Sequence, residues 1–173
     1  MAKWSLVAVG VLAVVGVLFG GLVYGMEGDL NLKVSCKGAH TSPGGYGAAG
    51  GYPFDLSGDA KASGEVLAKG GEKALQAIFG SLTDKKNSNA KVTKVSGDLK
   101  IKGGKVSGNV KIEWSVQSNP LFIEGNLEGT ASGEGNITSI SFKGTNVKAG
   151  GLWNWGGGNA TLGGSGSFSV SSK

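Results

Sequence analysis

Val95-Ser-Gly-Asp-Leu-Lys-Ile-Lys102 is nearly repeated eleven residues later as Val106-Ser-Gly-Asn-Val-Lys-Ile-Glu113. Gly103 and Gly104 separate the copies and suit a two-residue hairpin turn that needs positive φ at both positions. Pairing from this turn sets small residues opposite branched ones on one face and polar residues opposite each other on the second. The expected pairs are Ile101 with Val106, Leu99 with Gly108, Gly97 with Val110, Val95 with Ile112, Lys94 with Glu113 and Asp98 with Asn109. The stretch predicts an antiparallel hairpin with one buried face.

Apolar and polar residues alternate in several other segments, which is typical of half-buried strands. These segments are 30–36, 121–128, a strand around Ile140 and Phe142, a separate strand at 147–155, and 166–171. Asn119-Pro120 and residues 132–135 are expected to break the strands between them. Seven or so short antiparallel strands predict a mainly β fold, either a β-sandwich or a small barrel.

One helix and two loops are predicted between the first strand and the hairpin. Residues 72–79 have helical spacing, with Leu75, Ile78, Phe79 and Leu82 on one side and Gly80 at the end. Residues 42–53 are a loop by composition, and 84–89 a polar turn. The loop contains Gly45-x-Gly47-x-x-Gly50, but no helical pattern follows it, so we expect no dinucleotide site.

An apolar run from Trp4 to Met26 lies between the charges of Lys3 and Glu27. A helix of this length would cover the roughly 30 Å hydrocarbon core of a bilayer. We therefore divide the chain into a hydrophobic helix at 1–26, a membrane anchor or filament core, and a glycine-rich β domain at 27–173. The alternative is a signal peptide cleaved after a small residue near Gly25, although the run is longer than usual for one.

The charges that flank this run place its start in the cytoplasm and the β domain outside. Gly16 and Gly20, and likewise Gly21 and Gly25, have the small-xxx-small spacing that lets apolar helices approach closely. They are the predicted helix-packing residues, and glycine's general frequency in membrane helices is the alternative explanation. The expected partners are copies of the same chain, with membrane contact at least during biogenesis.

Composition weighs against several functions. The net charge of +5 comes from lysine alone, because all 17 basic residues are lysine. Nucleic-acid recognition commonly uses the arginine guanidinium group to bind phosphates and guanine edges, so no nucleic-acid partner is expected. Cys36 and His40, the only cysteine and histidine, would share a strand face, yet two ligands do not complete a metal site. Cys36 is expected to be a small buried residue, with an intermolecular disulfide as the alternative.

Catalytic signatures are scarce. Glu113, Glu124, Glu128 and Glu134 fall on polar strand faces or in turns, where carboxylates are usually solvated, and no pair of them is selected as catalytic. We expect no enzyme activity, no catalytic residues, no cofactor and no metal.

Two features could carry binding. Trp153 and Trp155 share a face in one glycine-rich segment, and Tyr46 and Tyr52 lie in another. If these rings are exposed, they would form an aromatic binding patch; if they are buried, they would belong to the core. Asn136 and Asn159 begin glycosylation acceptor sequences.

A hydrophobic N-terminal helix joined to a β domain resembles the layout of archaeal type IV-like pilins. The resemblance covers the layout and no specific motif: no basic leader is evident at residues 1–4, and Ser5 stands where bacterial pilins carry glutamate. It implies a structural subunit of an extracellular filament or surface assembly, with the helix in the core and the β domain outside. The alternatives are a single-pass adhesive or binding protein of a cell or virion envelope, and an accessory subunit of a membrane complex.

Overall fold

A computed structural model of the chain describes residues 28–42, 51–155 and 158–173. The predicted hydrophobic helix at 1–26, its packing glycines Gly16, Gly20, Gly21 and Gly25, and the motif that runs from Gly45 to Gly50 lie outside the described residues. Among those described, no helix is both long enough and apolar enough to cross a membrane.

The described chain is mainly β. Its elements are β1 (Asp29–Thr41), β2 (Tyr52–Asp55), β3 (Gly58–Ser63), α1 (Gly64–Lys69), α2 (Gly71–Phe79), β4 (Thr83–Asp84), β5 (Ala90–Lys102), β6 (Lys105–Val116), β7 (Asn119–Ser132), β8 (Ser139–Trp155) and β9 (Gly158–Ser172). The described part thus has nine strands and two short helices, where about seven strands and one helix were expected.

The strands form one antiparallel sheet that curls into a nearly closed barrel. Its order is β2-β1-β9-β8-β7-β6-β5-β4, and β3 also pairs with β1. Asp55 at the end of β2 and Asp84 at the end of β4 bring the sheet's two ends together. The Asp55 amide donates to Oδ1 of Asp84 at 3.0 Å, and the Lys85 amide donates to the Asp55 carbonyl at 2.8 Å. Side chain and backbone therefore close a seam that no long strand spans.

The β5–β6 hairpin confirms the predicted register at all six pairs, from Ile101 opposite Val106 to Lys94 opposite Glu113. Gly103 and Gly104 adopt φ values of 55° and 74°, as the two-residue turn requires. This hairpin could be predicted because both its pairing and its turn are encoded within about 20 consecutive residues.

Helix α2 packs between β3 and β5, where the sheet is open. Its predicted apolar side is confirmed: Leu75, Ile78 and Phe79 are fully buried. The Phe79 ring meets Phe142 and Phe168 edge-on, with centroids 6.4 Å and 6.1 Å away. The helix thus completes the core that the strands leave open on one side.

Two predicted strand boundaries were wrong. The turn between β6 and β7 lies at Gln117 and Ser118, which have φ values of 49° and 66°, and Asn119-Pro120 begins the next strand. The Asn119 Nδ2 donates to the carbonyls of Val116 and Gln117 at 3.1 Å and 3.2 Å, so this side chain holds the turn. Tyr52 and Pro53, predicted to be loop, pair with β1 as part of β2.

The two strands predicted around Phe142 and Val147 are one continuous strand, β8. A bulge joins them, with Asn146 at a φ of 53°. The Val147 side chain turns inward against the space left by Gly125 and Gly144. The extra residue thus shifts the alternation of inward and outward side chains by one position without ending the strand.

The barrel has two ends, which we name by their residues. The proximal pole carries Gly28, the start of α1, the Gly103–Gly104 turn and loop 133–138, and the Ile137 amide donates to the Gly64 carbonyl there at 3.0 Å. The distal pole carries the Gln117–Ser118 turn and the end of the β8–β9 hairpin. The Asn154 amide donates to Oδ1 of Asn119 at 2.6 Å and ties these two distal hairpins together.

Candidate functional site

Asp84 is fully buried, and its carboxylate accepts four hydrogen bonds. Its Oδ1 accepts from the Asp55 amide and, at 3.1 Å, from the Lys86 amide. Its Oδ2 accepts from Asn87 Nδ2 at 2.6 Å and from Trp114 Nε1 at 3.2 Å. Four donors thus replace the water that a buried carboxylate loses.

His40 lies beside this carboxylate and is also buried. Its ring stands 5.0 Å from that of Phe54 and 5.6 Å from that of Trp114, and its Nε2 donates to the Phe122 carbonyl at 3.3 Å. Burial lowers the pKa of His40 below its ordinary 6.5, although the carbonyls and Asp84 oppose the shift. The imidazole is therefore neutral at pH 7.

Cys36 shares the inward face of β1 with His40, as the spacing predicted, and is fully buried. Burial, with a smaller contribution from the charges of Asp55 and Asp84, raises the pKa of its thiol to about 12. A thiol in this state is neither a nucleophile nor a metal ligand at neutral pH. In the described ranges, no three His, Cys, Asp or Glu side chains lie close enough to hold a metal ion.

The role of Asp84 that best fits these contacts is structural. We call this residue and its four hydrogen bonds the latch, because they hold the two ends of the sheet together. Its carboxylate is buried. From β4, at one end of the sheet, it accepts hydrogen bonds from the Asp55 amide at the other end and from the Trp114 indole. Asp84 was predicted to begin a polar turn at 84–89, but it ends β4, and the turn covers 85–89. An acid followed by a polar turn gives no signal that tertiary donors will surround it.

The distal pole holds two residues of the predicted aromatic patch, Trp153 and Tyr52. The Trp153 ring stacks on that of Tyr52, with centroids 5.2 Å apart and planes 12° from parallel. Trp153 is half-buried and packs against the core, so part of its surface remains available. Trp155 ends β8, and its side chain lies outside the described residues, as does Tyr46.

A groove of about 520 Å³ runs on the outer surface near this pole. Its apolar lining includes the Phe122 ring and Leu152, whose exposed fraction is 48%. Phe122 covers Gly150, and the Nζ of Lys111 lies 4.6 Å from the centre of its ring. Leu152 and Phe122 were not singled out from the sequence, because a lone Leu or Phe in a strand is usually part of the core.

The four acids considered from the sequence lie on the outer face of the sheet or in a loop. Glu113 forms ion pairs with Lys94 at 4.0 Å and Lys111 at 3.4 Å on the outer face. Glu124 and Glu128 face outward on β7, and Glu134 is exposed in loop 133–138.

The two glycosylation acceptor sequences lie at opposite poles. Asn136 is partly buried near Gly64 at the proximal pole, and Asn159 is exposed at the start of β9 at the distal pole. Asn159 therefore offers the more accessible amide of the two.

Comparisons with family models, curated proteins and solved structures found no match to this chain.

Proposed function

We propose that the chain is a structural subunit of an extracellular filament or surface assembly. The apolar segment at 1–26 packs against copies of itself or lies in a membrane, and the β domain at 27–173 forms the outer layer. The pilin-like layout of the sequence motivates this proposal.

The observation that carries it is the short connection at the proximal pole. The apolar run ends at Met26, and β1 begins at Asp29 as a long strand that pairs with β2, β3 and β9. A connection this short leaves little room for independent motion. Copies whose helices pack together would therefore hold their barrels in fixed positions, as an ordered assembly needs.

The proposal is tested by electron microscopy of the purified full-length chain after detergent removal. We expect ordered filaments or arrays, and we expect Gly16→Leu with Gly20→Leu to abolish them while the circular dichroism of the β domain is unchanged. Leu12→Ile is the control that keeps the apolar character of the segment. Dispersed particles from the unmodified chain would refute the proposal.

A second function is favoured by the distal pole. The Tyr52 and Trp153 rings and the groove beside Leu152 lie at the end of the barrel opposite Gly28. A single-pass envelope protein, on a cell or a virion, would present this pole to a ligand. Glycan-array binding that Leu152→Ser weakens and Trp153→Ala abolishes, with folding intact, would favour this function over the structural one.

A further inference from the structure

The outer face of β9 is a row of hydroxyl groups. Residues of β9 alternate, with Phe168 and Val170 buried and the intervening serines facing out. The outward serines are Ser165, Ser167, Ser169 and Ser171. Because these side chains are small and uncharged, the row forms a low floor along the strand.

Lysines flank this floor on both sides. On β1, Lys37 lies opposite Ser167 and Lys33 opposite Ser171. On β8, Lys148 lies opposite Ser165 and Lys143 opposite Ser169. We call these four lysines and four serines the lysine–serine corridor.

The bulge of β8 is what puts both of its lysines in the corridor. Side chains five residues apart on a regular strand point to opposite faces, so Lys143 and Lys148 could not otherwise both face outward. The register shift between them, with Asn146 at a φ of 53°, turns Lys148 back to the outer face. A bulge that re-aims a side chain is a common device beside binding sites.

Acidic residues stand one strand further out on each side. Asp55 and Asp59 lie opposite Lys37 and Lys33. Across the sheet, Glu124 and Glu128 lie opposite Lys148 and Lys143. The outer face therefore presents acid, lysine, serine, lysine and acid in turn across five strand positions.

Three of the corridor lysines are available to a ligand. Lys37 forms an ion pair with Asp55 at 3.4 Å. In the described part of the chain, Lys33, Lys143 and Lys148 form no ion pair, and all three are exposed. A groove of about 630 Å³ covers the proximal end of the corridor at Lys143, Ser169 and Ser171, and it extends over β7, where Glu128 lines it. Its volume is within the size range of ligand sites.

We propose that the lysine–serine corridor binds one extended chain of an acidic polysaccharide. The two lysine columns are two strand spacings apart, about 10 Å, which fits a single polymer chain. A membrane surface or a nucleic-acid duplex is wider and would also meet the acidic columns. A single-stranded nucleic acid calls for aromatic stacking platforms, whereas the floor offers only serine hydroxyls, which suit the hydroxyl groups of a sugar.

The test is a titration of the full-length chain in neutral detergent with polygalacturonate, followed by calorimetry or affinity electrophoresis. We expect Lys33→Gln, Lys143→Gln and Lys148→Gln combined to weaken binding about tenfold or more. The control combines Lys91→Gln, Lys102→Gln and Lys105→Gln, which removes the same charge from exposed positions elsewhere, and should change affinity less than about twofold. Equal losses in both triple variants would overturn the proposal, since they would mean attraction by net charge alone.

A second variant separates the floor from the charge. Ser167→Val replaces a small hydroxyl side chain of the corridor by a bulkier apolar one without changing the charge, and valine is favoured in strands. We expect this variant to bind about fivefold or more weakly. Neutral dextran should not bind. Unchanged affinity in this variant, or equal binding of single-stranded DNA or of anionic phospholipid vesicles, would overturn the proposal. Binding does not require assembly, so either result leaves the proposed structural function to its own test.

Discussion

The Trp114 indole donates its hydrogen bond to Asp84 from a position two strands away in the sheet, at 3.2 Å. The same carboxylate accepts from the backbone of Asp55, on the strand at the opposite end of the sheet. One side chain therefore joins both ends of the sheet to a buried tryptophan. Because β4 has only two residues, this acid and the backbone bond from Lys85 to Asp55 together close the barrel.

Asp84→Ala should destabilise the domain strongly. The substitution removes the acceptor of four hydrogen bonds, of which the one from Trp114 Nε1 is buried and the other three are part-buried. We expect a loss of about 3–5 kcal/mol in the free energy of unfolding. Asp84→Asn keeps the shape but turns an amide N–H toward some of the donors, so about 1–3 kcal/mol is expected. Urea denaturation followed by tryptophan fluorescence measures both.

The control for these variants is Asp98→Ala, which removes an exposed acid paired with Lys100 at 2.9 Å. An exposed pair contributes about 1 kcal/mol or less. A cost for Asp84→Ala as small as that of the control would show that the latch does not hold the barrel closed.

His40 should make the domain sensitive to mild acid. Its folded pKa is lowered by burial, so protons bind more tightly to the unfolded chain. The stability that neutral His40 contributes is complete above the unfolded pKa of about 6.5 and is lost as the pH falls below it, by at most about 1.4 kcal/mol per pH unit. Urea unfolding at a series of pH values between about 7.5 and 5 measures this slope.

Since His40 is the only histidine, His40→Gln should flatten that slope while its amide still reaches the Phe122 carbonyl. Below about pH 4 a further loss of folding stability is expected, because the Asp55 carboxylate takes up a proton. Burial acts to raise the pKa of Asp55, but hydrogen bonds from Ser57 and the charge of Lys37 outweigh burial and lower it. An unchanged slope over the mildly acidic range in His40→Gln would contradict the assignment.

Gly108→Ala should disrupt the β5–β6 hairpin. Gly108 has a φ of 131°, and an added Cβ would collide with the Asp98 carbonyl on the paired strand. We expect a cost of about 2–4 kcal/mol in thermal or urea unfolding. Gly158→Ala is the matched control, because an added Cβ there meets no atom within 4 Å, and it should change stability by less than about 0.5 kcal/mol. Similar costs at the two positions would refute the hairpin packing.

Cys36 should resist thiol reagents in the folded protein. Its side chain is fully buried, and its pKa of about 12 leaves almost no thiolate at pH 8. Labelling with iodoacetamide should therefore follow unfolding, and no disulfide between copies is expected. Ser167→Cys is the positive control, since this outward position should react at once. Rapid labelling of Cys36 in the native state would contradict its burial.

The strands could be predicted where pattern and turn are local. The β5–β6 register follows from the Gly103–Gly104 turn, and α2 follows from its apolar face. Its ends at Gly70 and Gly80 are marked by glycine. In such segments the turn residues and the alternation that define the element all fall within about 20 residues.

The seam and the corridor depend on residues distant in sequence. The hydrogen-bond donors to Asp84 come from positions 55, 86, 87 and 114, and the alternation of apolar and polar residues does not predict them. Alternation does place the serines of β9 outward, but two of their four lysine neighbours come from β1, more than 120 residues earlier in the chain. The bulge at Asn146 has no strong sequence signal, which is why β8 was predicted as two strands.

The central claim is that the chain keeps its apolar segment and works as one of many copies. Native mass spectrometry of the protein extracted in detergent from intact envelopes reports both the mass of each chain and the number of copies. We expect chains that retain residues 4–26, in complexes of many copies. A single chain that begins near Met26 would contradict the account.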